Sequence, residues 1–190
     1  TEIRTRKIKH YLFVEVFTDS GIKGLGEAGN WAQLSATEAA IHKFGDWLIG
    51  RDPFRIEDYN QNFYRSQYFR GSVISSAISA LDIALWDIKG KAFNVPVYKL
   101  LGGKRRDNLR TYASQLQFGW GDVCRDSVEM SAPHNAATIA DYVENARKAV
   151  AEGYDCIKID FFTFAPEDGH RYTDEDRTRL LPPEKVHMIE

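Results

Sequence analysis

The run from Ser72 to Gly103, SVISSAISALDIALWDIKGKAFNVPVYKLLGG, constrains this chain more than any other stretch. Ile74, Ala77, Ile78, Leu81, Ala84, Leu85 and Ile88 recur at steps of three and four, which predicts a long helix with one stripe built for burial. The helix is expected to end near Phe93–Asn94, because Asn94 tolerates a left-handed backbone and Pro96 cannot continue the coil. A short second helix, Val97 to Leu101, then stops at Gly102–Gly103.

Upstream, His10 to Thr18 (HYLFVEVFT) is aromatic and β-branched and predicts a strand. Thr18-Asp19-Ser20-Gly21 is a turn signal, and IKGLGEAG reads as the returning strand of a hairpin. Gly21, Gly24 and Gly26 match no nucleotide-binding fingerprint, since a turn and not a strand precedes them. Ser35 followed by Glu38 has the spacing of a capping box for a helix running to Gly50. Asp52-Pro53 restarts the chain into FRIEDYNQNFYRSQYFRG, helical in its first part. A hairpin followed by several helices is an α+β arrangement.

Beyond Gly103 the pattern changes. Leu109–Ser114 reads as a short strand, followed by a polar, glycine-containing loop to about Asn135. Thr138–Glu152 reads as a helix, with Thr138 and Asp141 as its cap and Ile139, Tyr142, Val143, Ala146 and Val150 on one side. Gly153 ends it, and Cys156–Asp160 (CIKID) reads as a strand. Strand, helix and strand make one β-α-β unit, the repeat of parallel α/β folds. A charged, aromatic loop is expected from Phe161 to Pro183, with a helix beginning after it.

Composition narrows the function classes. Of 190 residues, 43% are hydrophobic and 13% aromatic, enough for a substantial core. A formal net charge of −2 gives no whole-chain reason to expect nucleic acid or an anionic membrane as partner. No apolar run approaches the roughly 20 residues that span a bilayer, and the basic start TEIRTRKIKH is followed by no signal-peptide-like apolar segment. The two cysteines, Cys124 and Cys156, lack metal-like spacing, so a reduced, cytoplasmic setting is expected.

The order ALWDIKGK, a Pro-containing turn, then LLGG closely resembles the hinge between capping domain and barrel in the enolase superfamily, in its mandelate racemase/muconate lactonizing enzyme-like branch. The resemblance implies an α+β capping domain over residues 1–103. Over residues 104–190 it implies the first β-α-β part of a TIM-like (β/α)7β barrel, incomplete in this chain. One such unit cannot close a barrel and leaves open sheet edges, so these residues are expected to belong to a longer protein. The first strand of the capping sheet is expected to be absent or reduced to IRTRKIK.

Lys158-Ile159-Asp160 is the sharpest chemical candidate. Alternation on a strand puts Lys158 and Asp160 on one face, about 7 Å apart, with Ile159 on the other. At the carboxyl end of a barrel strand that face lines the mouth, where catalytic groups gather. An ion pair filling the barrel interior is the competing reading. In the resembling racemases and cycloisomerases the second strand ends in Lys-x-Lys, its second lysine being the base. Here Lys158 matches the first lysine and Asp160 stands at the second position. That departure argues against lysine-based racemisation and toward one-base β-elimination of water from a sugar acid.

By the same resemblance, a capping-domain loop near NFYRSQYFRG covers the substrate. Tyr68 and Arg70 are its candidate contacts, with Trp31 a further one; core packing of Phe63, Tyr64 and Phe69 is the alternative. Asp87 and Lys89 are expected to tie the helix to its neighbours. His170, Arg171 and Tyr172 on the late loop could reach a substrate or serve a contact between subunits, and His134 is assigned no role.

The resemblance thus implies a metal-dependent lyase that removes the proton α to a carboxylate through an Mg²⁺-stabilised enediolate. Its metal ligands and general base are expected beyond Glu190, and its state is expected to be a homo-oligomer. An epimerase, racemase or cycloisomerase of the same superfamily is the nearest alternative. A non-catalytic binding or assembly protein is the other.

Overall fold

The computed structural model describes residues 1–8, 11–30, 33–118, 138–160 and 163. They fall into two units, Thr1–Asp107 and Asn108–Glu190. In the first, β1 (Glu2–Ile8), β2 (Tyr11–Phe17) and β3 (Lys23–Ala28) form an antiparallel sheet in the order β1-β2-β3. Four helices follow: α1 (Leu34–Leu48), α2 (Ile56–Arg65), α3 (Ser72–Ala92) and α4 (Val97–Leu100).

Alternation along β2 sends Leu12, Val14 and Val16 to the helical side, where all three are buried. They join Ile41, Phe44 and Leu48 of α1, Tyr59 and Phe63 of α2, and Leu81, Leu85 and Ile88 of α3 in one core. Aromatic rings close its far side: Phe44 stacks on Phe63 at 4.7 Å, and Trp47 meets Phe63 edge-on at 5.3 Å. The long helix ends as its sequence demands, with Asn94 in the left-handed region at φ 52°.

The closest contact in this unit lies between β3 and α3. A Cβ placed on Gly24 would fall 2.0 Å from the Ala84 carbonyl oxygen, and one on Gly26 would fall 2.0 Å from that of Ala80. Two residues of strand advance about 6.7 Å and four residues of helix about 6.0 Å. Two glycines spaced i, i+2 therefore stay in step with two alanines spaced i, i+4. These glycines bring two main chains together.

The same helix covers the outer edge of β3. The Leu25 amide donates to Asp87 Oδ2 at 2.9 Å, and Lys91 Nζ donates to the Lys23 carbonyl at 2.7 Å. Lys91 also pairs with Asp87 at 2.7 Å. An edge that would otherwise offer unpaired backbone groups is thus satisfied by side chains. Lys89, expected to reach a neighbouring element, instead sits 5.0 Å from the ring of Trp86 on its own helix.

Two local expectations need correction. The first capping strand, expected to be absent or reduced to IRTRKIK, is not absent: it is the seven-residue β1, over nearly those residues, paired with β2 from Glu2↔Phe17 to Ile8↔Tyr11. Its polar content hid it from a hydrophobic pattern. Ser35 and Glu38 form no capping box, because α1 begins at Leu34 with Gln33 as N-cap and Ser35 already lies inside the helix. They bind β1 instead. Ser35 Oγ accepts from Lys7 Nζ at 3.2 Å, while Glu38 pairs with Lys7 at 2.5 Å and accepts from Thr5 Oγ1 at 2.7 Å.

On the sheet's other face, Glu15 of the central strand is only 6% exposed. It accepts from Lys23 of β3 at 2.7 Å and from Arg6 of β1 at 2.9 Å, so one carboxylate ties three strands. The bonds from Lys23 and then Arg6 hold its carboxyl below the usual carboxylate range.

Two outcomes follow from these contacts. Gly26→Ala is expected to cost about 3 kcal/mol in urea unfolding, whereas Gly29→Ala, with nothing within 4 Å of the added Cβ, stays within about 0.5 kcal/mol. Because the folded Glu15 pKa is depressed, its contribution is fully present above the unfolded value of about 4.3 and is lost as pH falls through the lower folded value. Glu15→Gln should therefore lower stability at neutral pH and flatten the acid limb, read as unfolding midpoint against pH.

Candidate active site

The second unit has one parallel β-α-β element among the described residues. β4 (Ala113–Ser114) pairs with β5 (Ile157–Lys158) in the register Ala113↔Ile157 and Ser114↔Lys158, with α5 (Ile139–Ala151) as the crossover. The expected strands are longer than the two residues paired on each side. Thr138 caps α5 as expected: Asp141 N donates to Thr138 Oγ1 at 3.3 Å, and Thr138 N donates to Asp141 Oδ2 at 2.8 Å. At the other end Gly153, at φ 97°, reverses the chain so that the Tyr154 amide reaches back to the Ala149 carbonyl at 3.2 Å.

The buried line of α5 is Tyr142, Asn145 and Ala149, so of the predicted stripe Ile139, Tyr142, Val143, Ala146 and Val150 only Tyr142 is buried. Ile139 and Val150 are exposed and Val143 largely so. Asn145 accounts for the rotation: its amide donates to the Leu116 carbonyl at 2.9 Å, at the turn Leu116–Phe118 that follows β4. The desolvation cost of a buried polar side chain is offset when it closes an otherwise open carbonyl.

This packing decides which way the β5 side chains face. Ile159 joins Ala113, Leu116, Ala149 and Tyr154 in an apolar cluster. Lys158, one residue earlier, is exposed beside Ser114, and Asp160 is also exposed. Ile157 remains 39% exposed. The strand end is held by backbone bonds: Ala113 N donates to the Cys156 carbonyl and Gln115 N to the Lys158 carbonyl, each at 2.9 Å. Asp160 is held by Gln117, a buried residue whose Oε1 accepts from the Asp160 amide at 3.3 Å. Thr163 Oγ1 donates to the Asp160 carbonyl at 3.2 Å.

In the first unit, Tyr68 and Phe69 are 98% and 93% exposed, whereas Phe63 belongs to the core. Arg70 folds back on α2: its Nε donates to the Tyr64 carbonyl at 3.0 Å and its guanidinium lies 4.2 Å from the Tyr64 ring centre. Of the other candidates, Trp31, His134, His170, Arg171 and Tyr172 lie outside the described residues, as does the Phe161–Pro183 loop apart from Thr163. Among the described residues no group of three or more His, Cys, Asp or Glu side chains could hold a metal ion, and no helix is long and apolar enough to cross a membrane.

Gln115, Gln117 and Asn145 are the polar residues the sequence did not single out. Each is an uncharged amide in a stretch with no recognisable spacing. Only the break that Asn145 makes in the apolar pattern of α5 could have been noticed.

An antiparallel sheet backed by four helices, followed by a parallel strand-helix-strand with an exposed lysine on its second strand, is the order of a cap and the beginning of an α/β barrel. Residues 1–102 match the model of the mandelate racemase/muconate lactonizing enzyme N-terminal domain. The chain belongs to that family of the enolase superfamily. It is 47% identical over 115 residues to D-galactonate dehydratase of Variovorax paradoxus, covering 60% of this chain and 30% of the relative. Over 104 residues it is 49% identical to D-galactonate dehydratase of Ralstonia pickettii, covering 54% and 27%. Among solved structures, a candidate dehydratase from Zymomonas mobilis matches with TM-score 0.79 and 38% identity, over 98% of this chain and 49% of its own. An enolase-superfamily member from Salmonella Typhimurium matches with TM-score 0.73 and 38% identity, over 87% and 44%. The chain thus spans about 30% of the length of the curated relatives and about half that of the solved ones.

Gln117→Ala removes the acceptor for the Asp160 amide. Hydrogen exchange at that amide is expected to accelerate by roughly fivefold, as loss of about 1 kcal/mol of hydrogen bond implies, while exchange at the amides of α5 stays within about twofold.

Proposed function

We propose that this chain is the amino-terminal part of a sugar-acid dehydratase acting on an aldonate such as D-galactonate, with residues 1–103 as the cap and 104–190 as the start of the barrel. The similarity to proteins named D-galactonate dehydratase, at 47% and 49% identity, is the observation that carries this reading. Lys158, exposed on the second parallel strand, supports it.

In the reaction, a general base expected beyond Glu190 takes the α proton, and the electron pair of the broken C–H bond forms an enediolate. The β-hydroxyl then leaves with a proton as water, and the enol ketonises to a 2-keto-3-deoxy acid. The difficulty is the weakly acidic proton α to a carboxylate, which requires positive charge where negative charge develops. Lys158 Nζ supplies such a charge to the substrate carboxylate. Asp160, held at its backbone by Gln117, takes a substrate hydroxyl or orients Lys158.

Tyr68 and Arg70 are assigned to the cap loop over the substrate, with Trp31 as a further contact. Superfamily membership implies Mg²⁺. The described residues offer it no ligand cluster. A cytoplasmic homo-oligomer is the setting this reading implies.

The native protein carrying this sequence should convert D-galactonate, or another aldonate of a stereochemical panel, to a 2-keto-3-deoxy acid in buffer with Mg²⁺. Lys158→Met should lower kcat/KM by about 10²–10³, and Asp160→Asn by less. Solvent deuterium entering the α position without loss of water would point instead to an epimerase or racemase. Neither exchange nor product with any acid of the panel would leave the non-catalytic reading.

A further inference from the structure

We infer that Gln115, at the carboxyl end of β4, is a further substrate-contacting residue whose side-chain amide binds a hydroxyl or carboxylate oxygen of a polyhydroxylated acid. The inference rests on the dehydratase reading for the identity of the ligand. It rests on the geometry of Gln115 itself for the site.

Gln115 has φ 62°, in the left-handed region. Among the described non-glycine residues it shares that property with Asn94 alone. Asn94 is accounted for, because asparagine after a helix end is the usual non-glycine occupant of this conformation. Glutamine has no such local excuse. Its longer side chain does not make the short-range backbone bond that eases asparagine and aspartate into the region, and glycine would adopt it without cost. Non-glycine residues held in disfavoured backbone conformations cluster at ligand-binding positions.

The fold requires the left-handed turn here. After Ser114 the chain must leave β4 and drop Leu116 into the apolar cluster, where its carbonyl is closed by Asn145. It must also bring Gln117 to the Asp160 amide. What the fold does not require is a side chain at position 115. That side chain is exposed, and its amide has no hydrogen-bond partner among the described residues. A disfavoured conformation is thus accepted at the one residue of this turn whose functional group is left open.

Its location gives that group a use. The Gln115 amide nitrogen donates to the Lys158 carbonyl at 2.9 Å, so the two backbones are locked at the same end of the paired strands. Ser114 is the register partner of Lys158, and Asp160 follows on the other chain segment. A carboxamide carries a donor and an acceptor, and each sugar hydroxyl both donates and accepts. An uncharged amide beside the cation adds hydrogen bonds to the polyol without disturbing the charge of Lys158.

Gln115→Gly separates backbone from side chain, because it relieves the conformation while removing the amide; Gln115→Asn keeps an amide at shorter reach. In the native protein, Gln115→Gly is expected to leave the thermal midpoint unchanged or raised and to raise the KM for the aldonate at least tenfold. The Kd of the 3-deoxy analogue, which has no β-hydroxyl to lose, titrated calorimetrically, should weaken by a similar factor. Gln115→Asn should recover part of the loss.

Wild-type turnover with Gln115→Gly within twofold in KM and Kd would overturn the inference and leave the dehydratase reading standing. Binding without turnover in the wild type, weakened in Gln115→Gly, would overturn the dehydratase reading and leave the inference standing. A wild type that neither binds nor turns over any acid of the panel would overturn both. A fall in the thermal midpoint of Gln115→Gly would show that the side chain serves the fold and would overturn the inference.

Discussion

The first unit depends on one contact: β3 and α3 meet main chain to main chain, because Gly24 and Gly26 present no Cβ where Ala84 and Ala80 present only one. Everything else about the sheet follows from that approach. It sets the depth to which the Leu12–Val14–Val16 face can sink between the helices, and it brings the helix near enough for Asp87 and Lys91 to reach the strand's outer edge. Small residues on both sides make the contact possible, and the matched advance of strand and helix makes it repeat.

The same contact explains the motif by which the family is recognised. In ALWDIKGK, Ala84 supplies a carbonyl against Gly24, Asp87 and Lys91 close the edge of β3, and Gly90 leaves room for the returning chain, since a Cβ there would lie 2.9 Å from the Val95 carbonyl oxygen. The motif therefore encodes how a helix clasps a sheet. A family assignment resting on it speaks to architecture.

In the second unit the decisive step is the rotation of α5. By burying Tyr142, Asn145 and Ala149, the helix draws Ile159 inward, and the alternation of a strand then leaves Lys158 on the opposite side. A charged side chain on the open face of a parallel strand is thus a consequence of packing one residue away. Three amides support that strand end: Asn145 holds the turn after β4, Gln117 holds the Asp160 backbone, and the Gln115 backbone joins β4 to Lys158.

Local rules acting within a few residues make several elements legible in the sequence: the stripe of α3, its end at Asn94, the hairpin turn at Thr18–Gly21, the Thr138–Asp141 cap and the alternation at Lys158. Periodicity, left-handed tolerance and capping need no distant partner to be read. Only the tertiary structure decided that Ser35 and Glu38 bind a strand and do not cap a helix, that polar β1 is an edge strand, and that Glu15 is a buried tie between three strands. It likewise decided that α5 turns its asparagine inward. Each of these is settled by which surface comes into contact with which, and polar side chains choose partners by proximity in space, a quantity that spacing along the chain does not contain.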